Sequence, residues 1–362
     1  MGKTRPAFSR PAMRPKARRV MDIAAPLRLR VDRDALRSNW QALDRWSGAA
    51  ACGAAVKANG YGLGASLVAE TLAGAGCRDF FVANWAEALA LAPLGLTVSV
   101  LHGLRAEDVA AARAGVARPV LNSPEQVARW RESGGGPCDV MVDTGINRLG
   151  VSMEAVRDGL LDRLEIETLL SHLACADEDV AMNARQQGAF ASLRGRTPAR
   201  RMSLANSAGI GLGADYHFDL TRPGLALYGG IPRPDMAGPL RQVGFPEAQI
   251  LQRRRVPAGE TVGYNATWTA PADTEVAILN LGYADGYRRA LSGVGAAMVD
   301  GATLPVLGRV SMDLLAVDVS ARPDLREGDW LAMAYDLAQA SAVSGVSQYE
   351  LLTGLGQRFA RG

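Results

Sequence analysis

Residues 54–65 read AAVKANGYGLGA and close the first of the strand-like runs that decide the fold. This stretch of small residues holds one lysine, although the chain has 40 basic residues and only three lysines, Lys3, Lys16 and Lys57. A lysine amine can form a Schiff base, whereas a guanidinium cannot. Lys57 is therefore a candidate for amine chemistry, and a solvated lysine at a strand end is the alternative.

Short apolar runs alternate with stretches of helical pattern over the first two thirds of the chain, which predicts eight strands with a crossover after each. Eight such units match a (β/α)8 TIM barrel. A doubly wound open sheet is the alternative, because counting strands does not prove closure. The runs are AAACGAAVKAN (49–59), DFFVAN (79–84), TVSVLHG (97–103), ARPVLNS (117–123), CDVMVDTG (138–145), LEIETLLSHL (164–173), RMSLANS (201–207) and DLTRPGLALYGG (219–230).

After residue 240 the pattern changes to β-like runs with Gly and Asp-Gly turn signals, which predicts a separate, mostly-β domain. We predict a barrel over residues 26–240 and a C-terminal β domain over residues 241–362. The first strand, near residues 26–32, is a candidate to pair with the β domain.

The first twenty residues hold seven Lys/Arg and no acid, so we predict a basic, disordered arm over residues 1–25. It is interpreted as a leader or as a start upstream of a true first residue at Met21; a tail that binds acidic partners is the alternative. The rest of the chain carries 33 basic and 37 acidic residues, which does not favour nucleic-acid binding. The chain lacks both an apolar signal segment and a membrane-length run, so we expect a cytoplasmic protein that does not bind membranes.

The four cysteines are widely spaced, and the three histidines form no metal-binding pattern. We expect buried thiols and no metal site. In a TIM barrel the chemistry lies at the carboxyl ends of the strands. The polar residues at those ends are Lys57, Asn84, His102, Asn122, Asp143 with Arg148 nearby, His172, Asn206 with Ser207, and Arg222.

Eight separated blocks in this order resemble the alanine racemases, enzymes of fold-type III that depend on pyridoxal 5'-phosphate. The blocks are AVKANGYGLG, VDTGINRLGV, SHLACAD, ANSAG, RPGLALYG, TVGYNATW, LGYADGY and LGRVSMD. The resemblance runs from about residue 26 to the end of the chain. It implies an isomerase that interconverts L- and D-alanine and supplies D-alanine for peptidoglycan.

The resemblance implies that Lys57 holds the cofactor covalently. It assigns the phosphate to Tyr61, Ser207 with its neighbour Asn206, and the backbone amides of Gly224 and Leu225. Hydroxyl groups and free amides of this kind suit a dianion.

Arg222 is the expected partner of the pyridine nitrogen, which an arginine would keep unprotonated. His172 is expected to bridge Arg222 to the second catalytic group, Tyr264, by hydrogen bonds. Lys57 and Tyr264 would act as two bases on opposite faces of the substrate's α-carbon. His102 and His217 match nothing in the family and are expected to be structural.

The resemblance further implies a homodimer whose active sites are shared, with Tyr264 entering the barrel mouth of the other subunit. Tyr283, Met312 and Asp313 would come from the same side. Arg148 and the Met312 backbone would hold the carboxylate of a small amino-acid substrate.

Three places depart from the family pattern. Met141 replaces a carbamylated lysine that orients the arginine equivalent to Arg148, so Asn147 or Asp143 is expected to do so here. Asn265 replaces a glycine. The C-terminal YELLTGLGQRFAR is expected to supply no further tyrosine to the phosphate. These changes leave the reaction class alone, but Met141 and Asn265 leave a racemase of serine or longer amino acids as an alternative. A non-catalytic carrier of pyridoxal phosphate on the same barrel is a further alternative, against which residues 241–362 and Tyr264 argue.

Overall fold

The structure, a computed structural model, describes residues 24–361. Most of the predicted basic arm therefore lies outside the described residues. The strands are β1 (Leu27–Val31), β2 (Ala51–Cys52), β3 (Ala54–Ala55), β4 (Asp79–Val82), β5 (Thr97–Val100), β6 (Arg118–Leu121), β7 (Pro137–Asp143), β8 (Val151–Ser152), β9 (Glu165–Leu170), β10 (Arg201–Ser203), β11 (Leu220–Thr221), β12 (Gly244–Val256), β13 (Thr261–Val262), β14 (Trp268–Thr269), β15 (Thr274–Leu279), β16 (Ala296–Val299), β17 (Ala302–Leu307), β18 (Leu315–Asp318), β19 (Trp330–Met333) and β20 (Ala360–Arg361).

The helices lie between these strands, and each barrel strand is followed by helical structure. They are α1 (Arg33–Ser47), α2 (Lys57–Tyr61), α3 (Ala65–Ala75), α4 (Trp85–Leu91), α5 (Val109–Arg113), α6 (Pro124–Glu132), α7 (Met153–Arg157), α8 (Ala181–Ala191), α9 (Ser207–Gly211), α10 (Leu337–Ser344) and α11 (Gln348–Thr353). Among the helices of residues 24–361, none combines the length and the apolar character needed to cross a bilayer.

Parallel strands form the barrel, and its closure excludes an open sheet. The strands from β3 to β10 pair in sequence order, with β8 as a side branch on β7. β11 then pairs in parallel with β2, and the Arg222 amide donates to the Ala205 carbonyl at 2.8 Å. The predicted (β/α)8 barrel followed by a mostly-β domain is confirmed.

The barrel interior is layered, because alternate residues of each strand point inward. One layer is apolar and forms a cluster of its own, separate from the main core. Its members are Phe81, Leu101, Val120, Met141, Leu170 and Leu220. Two residues earlier on several of the same strands lies a polar layer, made of Asp79, Ser99, Arg118, Asp139, Thr168 and Arg201.

Asp139 is the fully buried member of the polar layer, with none of its surface exposed. Its carboxylate accepts hydrogen bonds from Ser99 Oγ at 2.6 Å and from the Thr168 amide at 3.0 Å. Arg118 Nε lies 3.4 Å from Asp139 Oδ2, the same oxygen that accepts from Ser99, and pairs the buried charge. A buried carboxylate is tolerated only when it is paired and hydrogen-bonded in this way.

The β domain is a closed antiparallel sheet that also takes up the first strand of the chain. The long strand β12 pairs with β1 and β19 over its first half and with β15 over its second. A register shift between Ile250 and Gln252 marks the change of partner. β20 pairs in parallel with β1, so both ends of the described chain lie in this sheet. The limits of the two domains, at residues 25 and 240, stay a prediction.

We expect Asp139→Ala to lower the free energy of unfolding by about 3–5 kcal/mol, because it leaves Arg118 without its buried partner. Chemical denaturation measures this. The matched control is Asp34→Ala, which removes an exposed ion pair with Arg37 and should cost less than about 1 kcal/mol. Equal effects of the two substitutions would contradict this account of the barrel interior.

Candidate active site

A cavity of about 420 Å³ opens at the carboxyl ends of the barrel strands. No Asp or Glu side chain of residues 24–361 lines it. Nine of the residues predicted from the sequence do line it: Lys57, Tyr61, Arg148, His172, Asn206, Ser207, Arg222, Gly224 and Leu225. The cavity is therefore cationic and rich in donors, which suits a ligand with phosphate or carboxylate groups.

Lys57 follows β3 and begins α2, which is a left-handed turn rather than a regular α-helix. The four residues after it, Ala58 to Tyr61, have φ values of 52°, 54°, 62° and 53°. Left-handed backbone costs about 1–2 kcal/mol for each L-residue that carries a side chain. Such a turn persists only where its surroundings hold it, and strained segments of this kind cluster at functional sites.

The amine of Lys57 is half-buried and faces other cations. Burial lowers the pKa of this amine, Arg148 lowers it further, and Glu87 opposes both effects. A lysine with a lowered pKa is more often neutral at working pH, and only the neutral amine is a nucleophile or a base.

Small residues and hydroxyl groups form a cradle beside Lys57. Ser207 Oγ accepts from the amides of Gly224, at 2.8 Å, and Ala226, at 3.2 Å. The Tyr61 hydroxyl lies so close to Gly224 that a Cβ atom there would collide with it. Burial raises the pKa of Tyr61 well above its usual value, so its hydroxyl stays a proton donor. Two hydroxyls around a glycine backbone fit the phosphate of pyridoxal phosphate.

Arg222 lies deeper in the barrel mouth and is almost completely buried. One terminal nitrogen donates to Ser203 Oγ, and the other donates to the Ser171 carbonyl at 2.6 Å. Burial lowers the pKa of Arg222 to about 10, and the carboxylate of Asp139 opposes this effect. Arg222 therefore remains a cation at neutral pH, held by neutral partners.

His172 follows β9 and lines the same cavity. Burial lowers its pKa to about 3, and the positive charges of Arg222, Arg148 and Lys57 add to the effect. The ring is therefore neutral at physiological pH. The hydrogen bonds of the described residues include none from this ring to Arg222, so the bridge predicted from the sequence stays a prediction.

Arg148 is exposed on the loop after β7. Asp143 accepts from the amides of Gly145, at 2.8 Å, and Asn147, at 3.2 Å, so it shapes this loop through its backbone. The hydrogen bonds of residues 24–361 include none from Arg148 to Asp143 or Asn147, so the expected orientation of its side chain by either residue is not seen. Met141 packs in the apolar layer below the cavity.

The four β-domain residues predicted for the site do not line this cavity. Tyr264 is 65% exposed and lies beside an apolar groove of its own domain. Tyr283 and Met312 are also exposed, and the Tyr283 and Ala284 amides bind the Ser311 and Met312 carbonyls at 3.0 Å each. Asp313 accepts from Arg358 at 2.8 Å.

Asn265 has a φ of 61°, in the left-handed region. Asparagine enters this region more readily than other residues with side chains. Asn265 therefore holds a backbone conformation next to Tyr264 that glycine also adopts readily.

The structure corrects two expectations about the cavity lining. Tyr349 of α11 lines the cavity, with its ring centroid 6.4 Å from that of Tyr61, so the C-terminal segment does supply a tyrosine here. His102 is exposed and also lines the cavity, contrary to the structural role expected for it. His217 is buried, and its two ring nitrogens lie 3.2 Å and 3.0 Å from the carbonyl oxygens of Ser47 and Ile210.

Sequence reasoning missed Glu87, which binds backbone next to Lys57. The signal was present as Asn84 followed three residues later by Glu87, but that pattern is also the ordinary signature of a helix start. Tyr349 gave no signal, because it lies almost 300 residues after Lys57 and is brought back by α11.

Family models, curated relatives and solved structures all indicate the same family for this chain. Residues 31–232 match the family model for the N-terminal domain of alanine racemase, and residues 245–362 match the model for the C-terminal domain. The alanine racemase of Acidiphilium cryptum is 43% identical, over 92% of this chain and 97% of its own length. The catabolic alanine racemase of Agrobacterium fabrum is also 43% identical, over 92% of this chain and 91% of its own length.

A solved alanine racemase of Bartonella henselae, with covalently bound pyridoxal phosphate, superposes with a TM-score of 0.83 at 34% identity. The alignment covers 94% of this chain and 99% of that one. The match extends across both domains and includes the barrel strands that surround Lys57. The chain belongs to the alanine racemase family of isomerases that depend on pyridoxal phosphate.

Proposed function

We propose that this protein interconverts L-alanine and D-alanine. The observation that carries the proposal is the meeting of Lys57, the Ser207–Gly224–Tyr61 cradle and Arg222 in one cavity without carboxylates. The relatives that share this fold are alanine racemases, which supports the same substrate here. When bound, pyridoxal phosphate supplies an electron sink for the electron pair left on the substrate's α-carbon.

Different residues of the cavity are assigned to different parts of pyridoxal phosphate. Lys57 would hold the cofactor through its amine, and the cradle with Asn206 and the Leu225 amide would hold the phosphate. Arg222, as a permanent cation, would disfavour protonation of the pyridine nitrogen. A weaker electron sink favours return of the proton to the same carbon.

Racemisation requires proton transfer on both faces of the α-carbon, and one group cannot reach both. We assign the first face to Lys57 and the second to the partner's Tyr264. Tyr264 is exposed and lies outside the cavity of its own chain, which supports delivery to a second subunit. Leu314 lines the same groove as Tyr264 and is an exposed apolar residue, which supports a homodimer interface at this face.

The carboxylate of the amino acid is assigned to Arg148 and the Met312 backbone of the partner subunit. Tyr283 and Asp313 of the partner subunit are assigned to the same wall of the site. The exposure of Arg148 and its freedom from Asp143 support a role in binding a ligand rather than in folding. Supply of D-alanine for peptidoglycan is the proposed biological role, supported by a biosynthetic relative from Agrobacterium fabrum, 40% identical. A cytoplasmic location stays a prediction.

The first test is an assay of the purified protein with L-alanine and, separately, D-alanine, followed by chiral chromatography. We expect each enantiomer to give the racemic mixture. Lys57→Arg should abolish this activity together with the visible absorbance of the lysine-bound cofactor, because a guanidinium forms no imine. Lys16→Arg, the same chemical change outside the described residues, is the control. Substantial activity in Lys57→Arg, or faster turnover of serine than of alanine, would overturn the proposal.

The second test concerns the neutral ring of His172. Its pKa of about 3 lies below the usual value of about 6.5. Between these values the unfolded chain binds a proton that the folded chain does not, so this contribution to stability is present above pH 6.5 and lost as the pH falls toward 3. Wild type should therefore lose stability more steeply over this range than His172→Gln in chemical denaturation. A ring that titrates near pH 6.5 in NMR spectra would contradict this.

A further inference from the structure

The left-handed turn after Lys57 is held from outside by one carboxylate. Glu87 Oε1 accepts a hydrogen bond from the amide of Ala58 at 2.7 Å. Glu87 Oε2 accepts one from the amide of Ala83, also at 2.7 Å. Ala58 directly follows Lys57, and Ala83 directly follows β4. A single side chain on α4 therefore ties the backbone of Lys57 to the end of the neighbouring strand.

Glu87 is itself fixed in place. Its own amide donates to Asn84 Oδ1 at 3.1 Å, in the first turn of α4. The far end of the turn is held separately, since Asn59 Oδ1 accepts from the Ala65 amide at 2.9 Å and Arg361 Nε donates to the Gly62 carbonyl at 2.8 Å. Glu87 is thus the side chain that holds the start of the turn, alongside the backbone hydrogen bond from the Gly60 amide to the Val56 carbonyl at 2.9 Å, and the end is held by other side chains.

A neutral side chain, Gln126, makes the corresponding hydrogen bonds at the start of another helix. At the start of α6, Gln126 Oε1 accepts from the amide of Asn122 at 3.0 Å and from that of Leu104 at 3.3 Å. The Gln126 amide donates to Ser123 Oγ at 3.3 Å, as the Glu87 amide does to Asn84. A neutral amide oxygen is therefore sufficient to tie two strand ends together. The negative charge of Glu87 is additional to what the fold requires at this position.

This charge lies close to Lys57, because Glu87 Oε1 accepts from the amide of Ala58, the next residue along the chain. Arg148 acts on the amine from the loop after β7, and Glu87 acts on it from α4 with the opposite sign. His172 and Arg222 line the same cavity and carry no negative charge. Glu87 lies behind the turn rather than in the cavity, so it can act on Lys57 without competing for an anionic ligand.

We propose that Glu87 is a positioning residue for Lys57. Glu87 holds the strained turn that follows the lysine, and its negative charge offsets the positive charge around the lysine amine. The inference rests on the proposed function, in which Lys57 is the residue that binds the cofactor. It separates two contributions: hydrogen bonding, which glutamine can replace, and charge, which it cannot.

The test compares Glu87→Gln and Glu87→Ala with wild type in the full-length chain. The chain has three lysines, so protein with 13C at the lysine ε-carbon gives three resonances, and loss of one in Lys57→Arg assigns Lys57. In the full-length protein freed of cofactor, we expect the Lys57 resonance of Glu87→Gln to titrate at lower pH than in wild type, because the offsetting charge is gone. The circular dichroism spectrum of Glu87→Gln should match that of wild type, because the neutral Gln126 side chain accepts the equivalent hydrogen bonds at the start of α6.

Glu87→Ala also removes the hydrogen bonds to the turn, and we expect it to weaken the affinity for pyridoxal phosphate by about tenfold, more than Glu87→Gln does. Gln126→Ala is the matched control: it removes the equivalent tie away from Lys57 and should leave the titration of Lys57 unchanged. The proposal is overturned if Glu87→Gln leaves the titration where it is in wild type, or if Gln126→Ala moves it equally.

The proposed function and the role of Glu87 can be disproved separately. If Lys57→Arg retains the visible absorbance of the bound cofactor, the proposed function is wrong. If that absorbance depends on Lys57 but the Lys57 amine titrates at the same pH in Glu87→Gln and in wild type, only the proposed role of Glu87 is wrong.

Discussion

The rest of this site depends on the concentration of positive charge in a cavity that no carboxylate of residues 24–361 lines. Lys57, Arg148 and Arg222 share the barrel mouth, and their repulsion adds to the cost of burial. The result is a lysine with a lowered pKa, which makes its amine available for proton transfer, and a histidine that stays neutral. An anionic ligand relieves the repulsion, so the same arrangement that favours a neutral amine also favours a phosphate and a carboxylate.

Negative charge is present near the cavity, but it lies behind its walls. Asp139 lies in the polar layer of the barrel and acts on Arg222, and Glu87 lies behind the Lys57 turn. Each carboxylate is occupied by hydrogen-bond donors of the fold. The barrel interior therefore supports the cations electrostatically while leaving the cavity open to anions.

Part of this site could be predicted from the sequence because its signals are local. Lys57 is rare in composition, and the strand-end rule places His172, Ser207 and Arg222 on one face of a barrel. The position of Tyr349 could not be predicted, because it depends on how α11 packs on the barrel. The use of Glu87 was hidden by its resemblance to a helix cap.

The orientation of Arg148 was expected from Asp143 or Asn147, but Asp143 is engaged by the amides of its own loop. A loop carboxylate can be occupied by the backbone amides of its own loop and is then less available to a neighbouring side chain. The barrel strands were predicted well because the apolar side chains that define them form no local hydrogen bonds that could compete with burial.

We propose that catalysis joins the Lys57 of one subunit to the partner's Tyr264, and a mixing experiment tests this arrangement. Lys57→Ala and Tyr264→Phe proteins, each nearly inactive alone, are unfolded together in equal amounts and allowed to reassociate. Half of the dimers are then mixed, and one of their two equivalent sites has both residues intact, so activity should recover to about a quarter of wild type. Mixed dimers that form and restore no activity would contradict the account.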